Sequence, residues 1–363
     1  MRLAIIGAGL AGLMAAYELR NRPDMAVTIY EKSRGLAGRA ATRWHDRPAG
    51  RVYVDHGAQY LRDEAGVSPS LHKLLEEALP RAELADIGRP VWTFNAANQI
   101  IEGDHAQNIA PKWSYTHGLA TLGKLIAETG HLTIKTQVHI DHLQALSVHS
   151  GGFALIDSDG LIVGEADQVL IAIPSGQAAD LLTASSLSTT DESRRDSVAE
   201  TLRMAVYRRC WSVTLGYEQS AVRERLDNVP YYALINTDRQ HDIAWLAFEH
   251  NKSGHVSPGQ AVIVAQMANG YTVRNWDAVP ATVVEQVAAQ VADLLGDDLR
   301  LPDWSDTQRW RYSQPDKTLD YSGVNGLLPG IWFAGDYLSG GRMHLAAQSG
   351  ATVADLIDRG LVV

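Results

Sequence analysis

The chain has 363 residues, 45% of them hydrophobic, and carries a net charge of −10 with a pI near 5.7. That length exceeds the ~250–300 residues at which single cores stop growing, so two domains sharing an interface are expected. An acidic balance without a long Lys/Arg run argues against a nucleic-acid partner, and a single cysteine, Cys210, excludes an intrachain disulfide and fits a reducing cytoplasm.

Residues 2–6 read as a buried parallel strand, 10–21 as a helix with apolar positions recurring at three and four, and 26–30 as a second strand, together a βαβ unit. The apolar start LAIIGAGLAGLMAAY has the look of a signal-peptide core, but glycines at 7, 9 and 12 with Glu18 and Arg20 close behind read better as strand, turn and helix. In IIGAGLAG, Gly7 permits a tight turn, Gly9 lets backbone approach a pyrophosphate, and Gly12 lets helix and strand pack closely. The phosphates would lie on the helix N-terminus, where free amides and the dipole favour an anion. Glu31 closes the second strand within reach of a ribose hydroxyl pair and would repel a 2′-phosphate; this disfavours NADP but does not separate NAD from FAD. The next turn, RGLAGR, brings Gly35 and Gly38 for close backbone approach and Arg39 to pair with a phosphate. A second clamp so near the first suits the longer FAD molecule.

From about 63 to 117 the pattern loosens into a helix over 69–79 and aromatic-rich turns, PVWTFN and APKWSY. Regularity returns with a helix in GLATLGKLIAE, a strand in LTIKTQVHI, a hairpin from FALIDSDG to GLIVGEA, and a β-branched strand in QVLIAIP. Residues 184–195 read as a connection. Strands SVTLGYE, YYALINT and DIAWLAFEH and the helix PATVVEQVAAQVADLLG follow, and the chain closes with a strand in GIWFAGD and a helix over 344–358. No stretch approaches the ~20 apolar residues of a membrane span. The pairs His139/His142 and His250/His255 lack a supporting carboxylate pattern, so no metal site is expected. Trp310 in RWRYSQP is a candidate pocket wall, since an aromatic face stacks well on a flat heterocycle; Trp245 alternates with apolar neighbours and reads first as core.

GAGLAG, EKSRGLAGRAATR, VDHGAQY at 54–60 and WFAGDYLSGGRMHLAAQSGATVADLI together resemble the flavin-containing amine oxidase superfamily, and within it the renalase-like branch. The resemblance implies an α/β fold: a Rossmann-like FAD-binding domain from 1–62, 118–183 and 301–363, and a smaller α+β substrate domain with a mixed sheet from 63–117 and 184–300. It places Gly7, Gly9, Ala11 and Gly12 at the pyrophosphate, Glu31 at the adenosine ribose, Lys32 among the cofactor-binding residues, and Arg39 at the phosphate or ribityl chain. Val138 would offer its backbone to adenine. Gln59 and Tyr60 would lie beside the flavin, with His56 in the same turn; Gly335 and Asp336 would meet the ribityl or pyrophosphate. The helix after Gly341, with Arg342, would face the flavin pyrimidine, where a positive end eases hydride acceptance. The catalytic candidates are His344, Trp310 and Tyr60.

The implied reaction is oxidation of 2- or 6-dihydro isomers of NAD(P)H to NAD(P)+ by hydride transfer to flavin N5, with O2 reoxidising the flavin and H2O2 released. An amine oxidase or desaturase-like enzyme, its cage drawn from the aromatics of 92–115, and a non-catalytic FAD-binding protein remain alternatives. Two departures from the family pattern stand out. Ala37 occupies a place in the second turn where a glycine is usual, and His344 stands where many renalase-like chains carry an acidic residue.

Overall fold

The computed structural model describes residues 1–146, 151–188 and 191–360. Among them, five parallel strands form one sheet in the order Ile331–Phe333, Gln168–Ile171, Arg2–Ile6, Ala26–Glu31, Ile134–Thr136. The first strand lies at its centre, flanked on one side by the second and on the other by a strand from far along the chain. This is the strand-order reversal at whose carboxyl end ligands bind in such sheets. Every loop of interest leaves that end: the turn after Ile6, the stretch after Glu31, the helix Ser175–Ala184 and the turn at Gly335–Asp336.

One face of this sheet is covered by the helices Leu10–Leu19 and Met343–Arg359, with Ala120–Thr129 and Pro69–Glu77 beyond them. The first two cross closely because Gly350 has no side chain: a Cβ there would run into the Ala11 carbonyl. The other face packs on an antiparallel sheet (Ile140–Ala145, Phe153–Asp157, Ile162–Ala166) and on the helices Ser175–Ala184 and Glu192–Arg203. LTIKTQVHI is therefore two strands, broken at Gln137, whose φ is +59°. The connection expected over 184–195 holds the end of one helix and the start of the next, with 189–190 outside the described residues.

A mixed seven-stranded sheet forms the second layer, in the order Trp304–Lys317, Val206–Tyr217, Ala261–Met267, Ile243–Phe248, Ala233–Asn236, Val91–Phe94, Ile100–Ile101, and the helix Pro280–Leu295 covers it. A further strand of this sheet lies just past the boundary expected at 301. Trp304–Lys317 pairs along Val206–Tyr217 and belongs to this sheet, its polar outer face hiding it from a hydrophobic-period reading. A hairpin, Thr42–Arg47 with Gly50–Asp55, joins the layers through Arg43, which donates to Asp306 at 2.8 and 2.9 Å. No helix among the described residues is long and apolar enough to cross a membrane.

Candidate functional site

The two amino-terminal turns fold onto each other. The Ala37 amide donates to the Ala8 carbonyl at 2.9 Å, and Gly9 and Ala37 form an isolated bridge. Glu31 ties them from below: its carboxylate accepts the Ala8 amide at 2.8 Å and the Ser33 amide at 2.7 Å. A Cβ placed on Gly9 or Gly35 would meet only open space, whereas one on Gly12 would strike the Gly7 carbonyl. The glycines thus divide into those that pack the turn and those that leave its outer side clear. The helix Leu10–Leu19 begins without a side-chain cap, as a helix offering its amides to an anion does. Lys32 is exposed. The Val138 amide donates to the Glu31 carbonyl at 3.0 Å, so it is not the atom adenine would meet.

Arg39 does not stand free for a phosphate. Its two Nη atoms donate to Asp336 at 2.6 and 2.8 Å, and one also reaches the Tyr312 and Ser313 carbonyls at 3.1 and 3.2 Å. Two residues expected to grip the cofactor hold each other, the guanidinium neutralising a buried carboxylate. Burial acts to lower the Arg39 pKa, but the charge of Asp336 outweighs it and the guanidinium stays protonated. The Tyr207 hydroxyl completes the clamp, donating to Asp336 at 2.8 Å. Tyr207 and Tyr312 lay outside the sequence-based set, since nothing local marks a strand tyrosine as a partner for residues more than a hundred positions away.

The VDHGAQY loop forms the next tier. His56 and Trp310 stack with centroids 5.3 Å apart and planes at 12°, and the Trp310 Nε1 donates to the His56 carbonyl at 3.1 Å. Trp310 is therefore a wall beside Gly57. The Gln59 Nε2 donates to the Asp55 carbonyl. His56 Nδ1 and Gln59 Oε1 are buried with no protein partner among the described residues. Burial, aided by Arg43, pushes the His56 pKa down to about 4, so the ring is neutral at physiological pH. Tyr60 contacts Tyr232 (6.4 Å) and Trp245 (6.2 Å), so Trp245 serves this aromatic group as well as the core. Of the aromatics of 92–115, Trp92 packs on Tyr231 and Phe94 on His241 within the mixed sheet, while the Trp113 backbone pairs with Leu61 beside this loop.

At the carboxyl-terminal end, the Gly335 amide donates to Ser349 Oγ at 2.9 Å, and Arg342 is exposed at the uncapped start of Met343–Arg359. His344 is buried, its Nε2 3.9 Å from Glu64, and burial pulls its pKa down against that carboxylate.

Beneath the VDHGAQY loop lies a group the sequence concealed. Asp55, Glu249, Lys252 and His255 are all fully buried. The Lys252 Nζ lies 2.7 Å from Glu249 and 3.1 Å from Asp55; His255 Nδ1 lies 2.9 Å from Glu249. The carboxylates that His255 lacked in sequence come from the fold, and the Lys252 ammonium sits between them. Asp63, His72 and Glu76 make a second, more exposed cluster.

Residues 92–358 match the model of the flavin containing amine oxidoreductase family, and residues 5–78 match an NAD(P)-binding Rossmann-like domain. The chain belongs to the flavin-containing amine oxidoreductases. Its cofactor is FAD. Oxidases of known structure share its fold. Cyclohexylamine oxidase from Brevibacterium oxydans IH-35A is 15% identical with a TM-score of 0.70, and 99% of each chain is covered. Putrescine oxidase bound to putrescine is 13% identical with a TM-score of 0.69, again over 99% of each chain. A protein from Exiguobacterium sp. 255-15 assigned as a protoporphyrinogen oxidase gives 15%, 0.72 and 99% of both. The residues present fit FAD: clear space outside two glycine turns, an uncapped helix start, and orphaned polar atoms at His56 and Gln59.

Proposed function

We propose that this family member is a renalase-like oxidase, removing a hydride from 2- or 6-dihydro isomers of NAD(P)H to give NAD(P)+, with O2 as final acceptor and H2O2 as the second product. The glycine turns at 7–12 and 35–38, Glu31, the Arg39–Asp336 clamp, Gln59 and the start of Met343–Arg359 would hold the cofactor; Val138 would meet adenine through its carbonyl. FAD, when bound, supplies a ring that accepts a hydride at N5 and passes the electrons to O2.

The observation that carries the reading is the stacked His56–Trp310 pair beside Gly57, a flat wall suited to a flat heterocyclic donor. The chain's work is to hold that donor in place and exclude water, and positioning alone contributes several kcal/mol. A dihydropyridine needs no base, because its ring nitrogen lone pair drives hydride loss. The imidazoles available suit this: His56, with a pKa near 4, is a poor base at neutral pH, and burial lowers His344 as well. An amine, protonated in water, would have to shed a proton first.

One observation favours the amine reading. Tyr60, Tyr232 and Trp245 form a mutually contacting trio in which a cation would find π faces. Anaerobic mixing of the yellow protein with 6-dihydro-NAD and with benzylamine separates the two. Flavin bleaching by the nucleotide alone supports the proposal; bleaching by the amine alone replaces it.

A further inference from the structure

A cavity of about 280 Å³ opens where the rim of the parallel sheet meets the mixed sheet, walled by Arg203, Tyr207, Arg209, Arg311, Tyr312 and Gly176. Three arginines at one opening run against the chain's net charge of −10. Among the described residues, neither Arg209 nor Arg311 has a carboxylate within 4.0 Å. Both lie instead over Trp276, at 4.9 and 6.0 Å from its ring, which steadies a guanidinium without using its N–H groups. Arg203 reaches Asp180 at 3.4 Å, a mostly exposed carboxylate, and donates to Thr183 Oγ1 at 3.0 Å.

The floor adds to the field. Gly176 lies in the first turn of Ser175–Ala184, a ten-residue helix without a side-chain cap, and a Cβ there would crowd the Tyr312 ring at 2.7–3.0 Å. Tyr312 lies over that turn because residue 176 is glycine. Behind the wall, Tyr207 bonds Asp336 and Arg39 bonds the Tyr312 carbonyl, so the cavity backs directly onto the clamp described above. Its side chains present donors, and the acidic neighbour Asp336 is occupied by Arg39.

We propose that this cavity is an anion subsite that receives the phosphoryl groups of a dinucleotide donor, with Arg209 and Arg311 as the binding residues and Arg203 and the helix start reinforcing them. The phosphoryl assignment rests on the donor reading above. Arginine forks match phosphate oxygens two at a time, and a protonated amine would be repelled at the same opening.

The test uses FAD-loaded enzyme, wild type and Arg209→Gln/Arg311→Gln, titrated with inorganic pyrophosphate by calorimetry and with 6-dihydro-NAD and dihydronicotinamide riboside by anaerobic flavin bleaching. The double variant is expected to keep its FAD, to bind pyrophosphate at least tenfold more weakly, and to raise the dinucleotide-to-riboside Kd ratio at least tenfold. Added salt should weaken wild-type pyrophosphate binding. Loss of FAD from the variant would assign the arginines to the cofactor's own pyrophosphate and overturn the proposal. So would undetectable pyrophosphate binding by wild type, equal binding by both proteins, or preferential binding of succinate. If pyrophosphate binding falls in the variant while no nucleotide isomer bleaches either protein, the subsite stands and the donor reading fails. If the isomer bleaches both with equal Kd, the donor reading stands and the subsite fails. Should the double variant not fold, Arg311→Gln alone, at an exposed strand position, carries the same comparison.

Discussion

Lys252→Met is the most informative single change in the buried group under the VDHGAQY loop. The ammonium is fully buried at 2.7 Å from Glu249 and 3.1 Å from Asp55. Without it, Asp55 retains Thr42 Oγ1 (2.6 Å) and the Leu119 amide (3.0 Å), and Glu249 retains the Asp55 amide (3.1 Å) and His255. Those bonds do not neutralise two desolvated carboxylates. Breaking a buried ion pair from one side costs about 3–5 kcal/mol, a large share of the ~5–15 kcal/mol that stabilises a folded protein. At about 2 °C per kcal/mol for a long chain, the melting temperature should fall by roughly 6–10 °C. The pH dependence carries a sign. In the wild type, burial would raise the Glu249 pKa, but Lys252 and His255 hold it low, so its stabilisation is present above the unfolded carboxyl value and lost as pH falls through the folded one. Without Lys252 the Glu249 carboxyl shifts upward and takes up a proton more readily as pH falls. Both effects make the difference between variant and wild type largest near neutral pH and smaller toward pH 4. Thermal melts of the FAD-loaded proteins across that range test it. A variant melting within 1–2 °C of wild type at pH 7, or a difference independent of pH, would refute the reasoning.

Arg39→Ala should leave Asp336 with only Tyr207 and yield a largely colourless protein; flavin absorbance per mole of purified chain reports it, and wild-type FAD content would remove Arg39 from the site. Gly350→Ala drives a methyl into the Ala11 backbone and should cost about 1–3 kcal/mol in urea unfolding, with FAD affinity reduced because the glycine-turn helix is pushed aside. His56 is buried neutral, its pKa lowered to about 4, so stability should decline as pH falls from about 6.5 toward 4; His56→Gln should flatten that slope by up to about 3 kcal/mol, read from urea unfolding at each pH.

What the sequence disclosed was local. Gly7, Gly9 and Gly12 announce their turn because the conformational demand and the residue type fall within six positions, and Glu31 follows at a fixed distance for the same reason. Arg39 and Asp336 were each legible as site residues, but their bond to each other spans 297 positions and is decided by which strands become neighbours. The Asp55–Lys252 contact spans 197. Buried ions also read as surface residues in any hydropathy scan, and the fully buried Lys252 is one. Trp304–Lys317 was missed because a strand with one polar, half-exposed face lacks the apolar period by which strands are recognised.

Ala37 shows how a departure from a family pattern can be compensated elsewhere in the fold. Its φ is +74°, a left-handed conformation that costs an alanine about 1–2 kcal/mol and a glycine almost nothing. Yet the turn still closes, with the Ala37 amide on Ala8 and the bridge to Gly9 in place. The methyl is buried against the helix Ala120–Thr129 at Gly123, where an added Cβ would come within 2.9 Å of it. The alanine has moved into space that a glycine on the opposite element leaves open, so side-chain burial offsets part of the backbone strain. The two positions should therefore be coupled. Gly123→Ala alone should destabilise by about 1–3 kcal/mol through overpacking, while Ala37→Gly alone should be near neutral, strain relief set against lost burial and added chain entropy. Together they should recover most of the loss, a coupling of about 1 kcal/mol or more in a double-mutant cycle by urea unfolding. Additive effects would mean that the methyl and the helix do not share that space, and that Ala37 is tolerated for some reason other than packing.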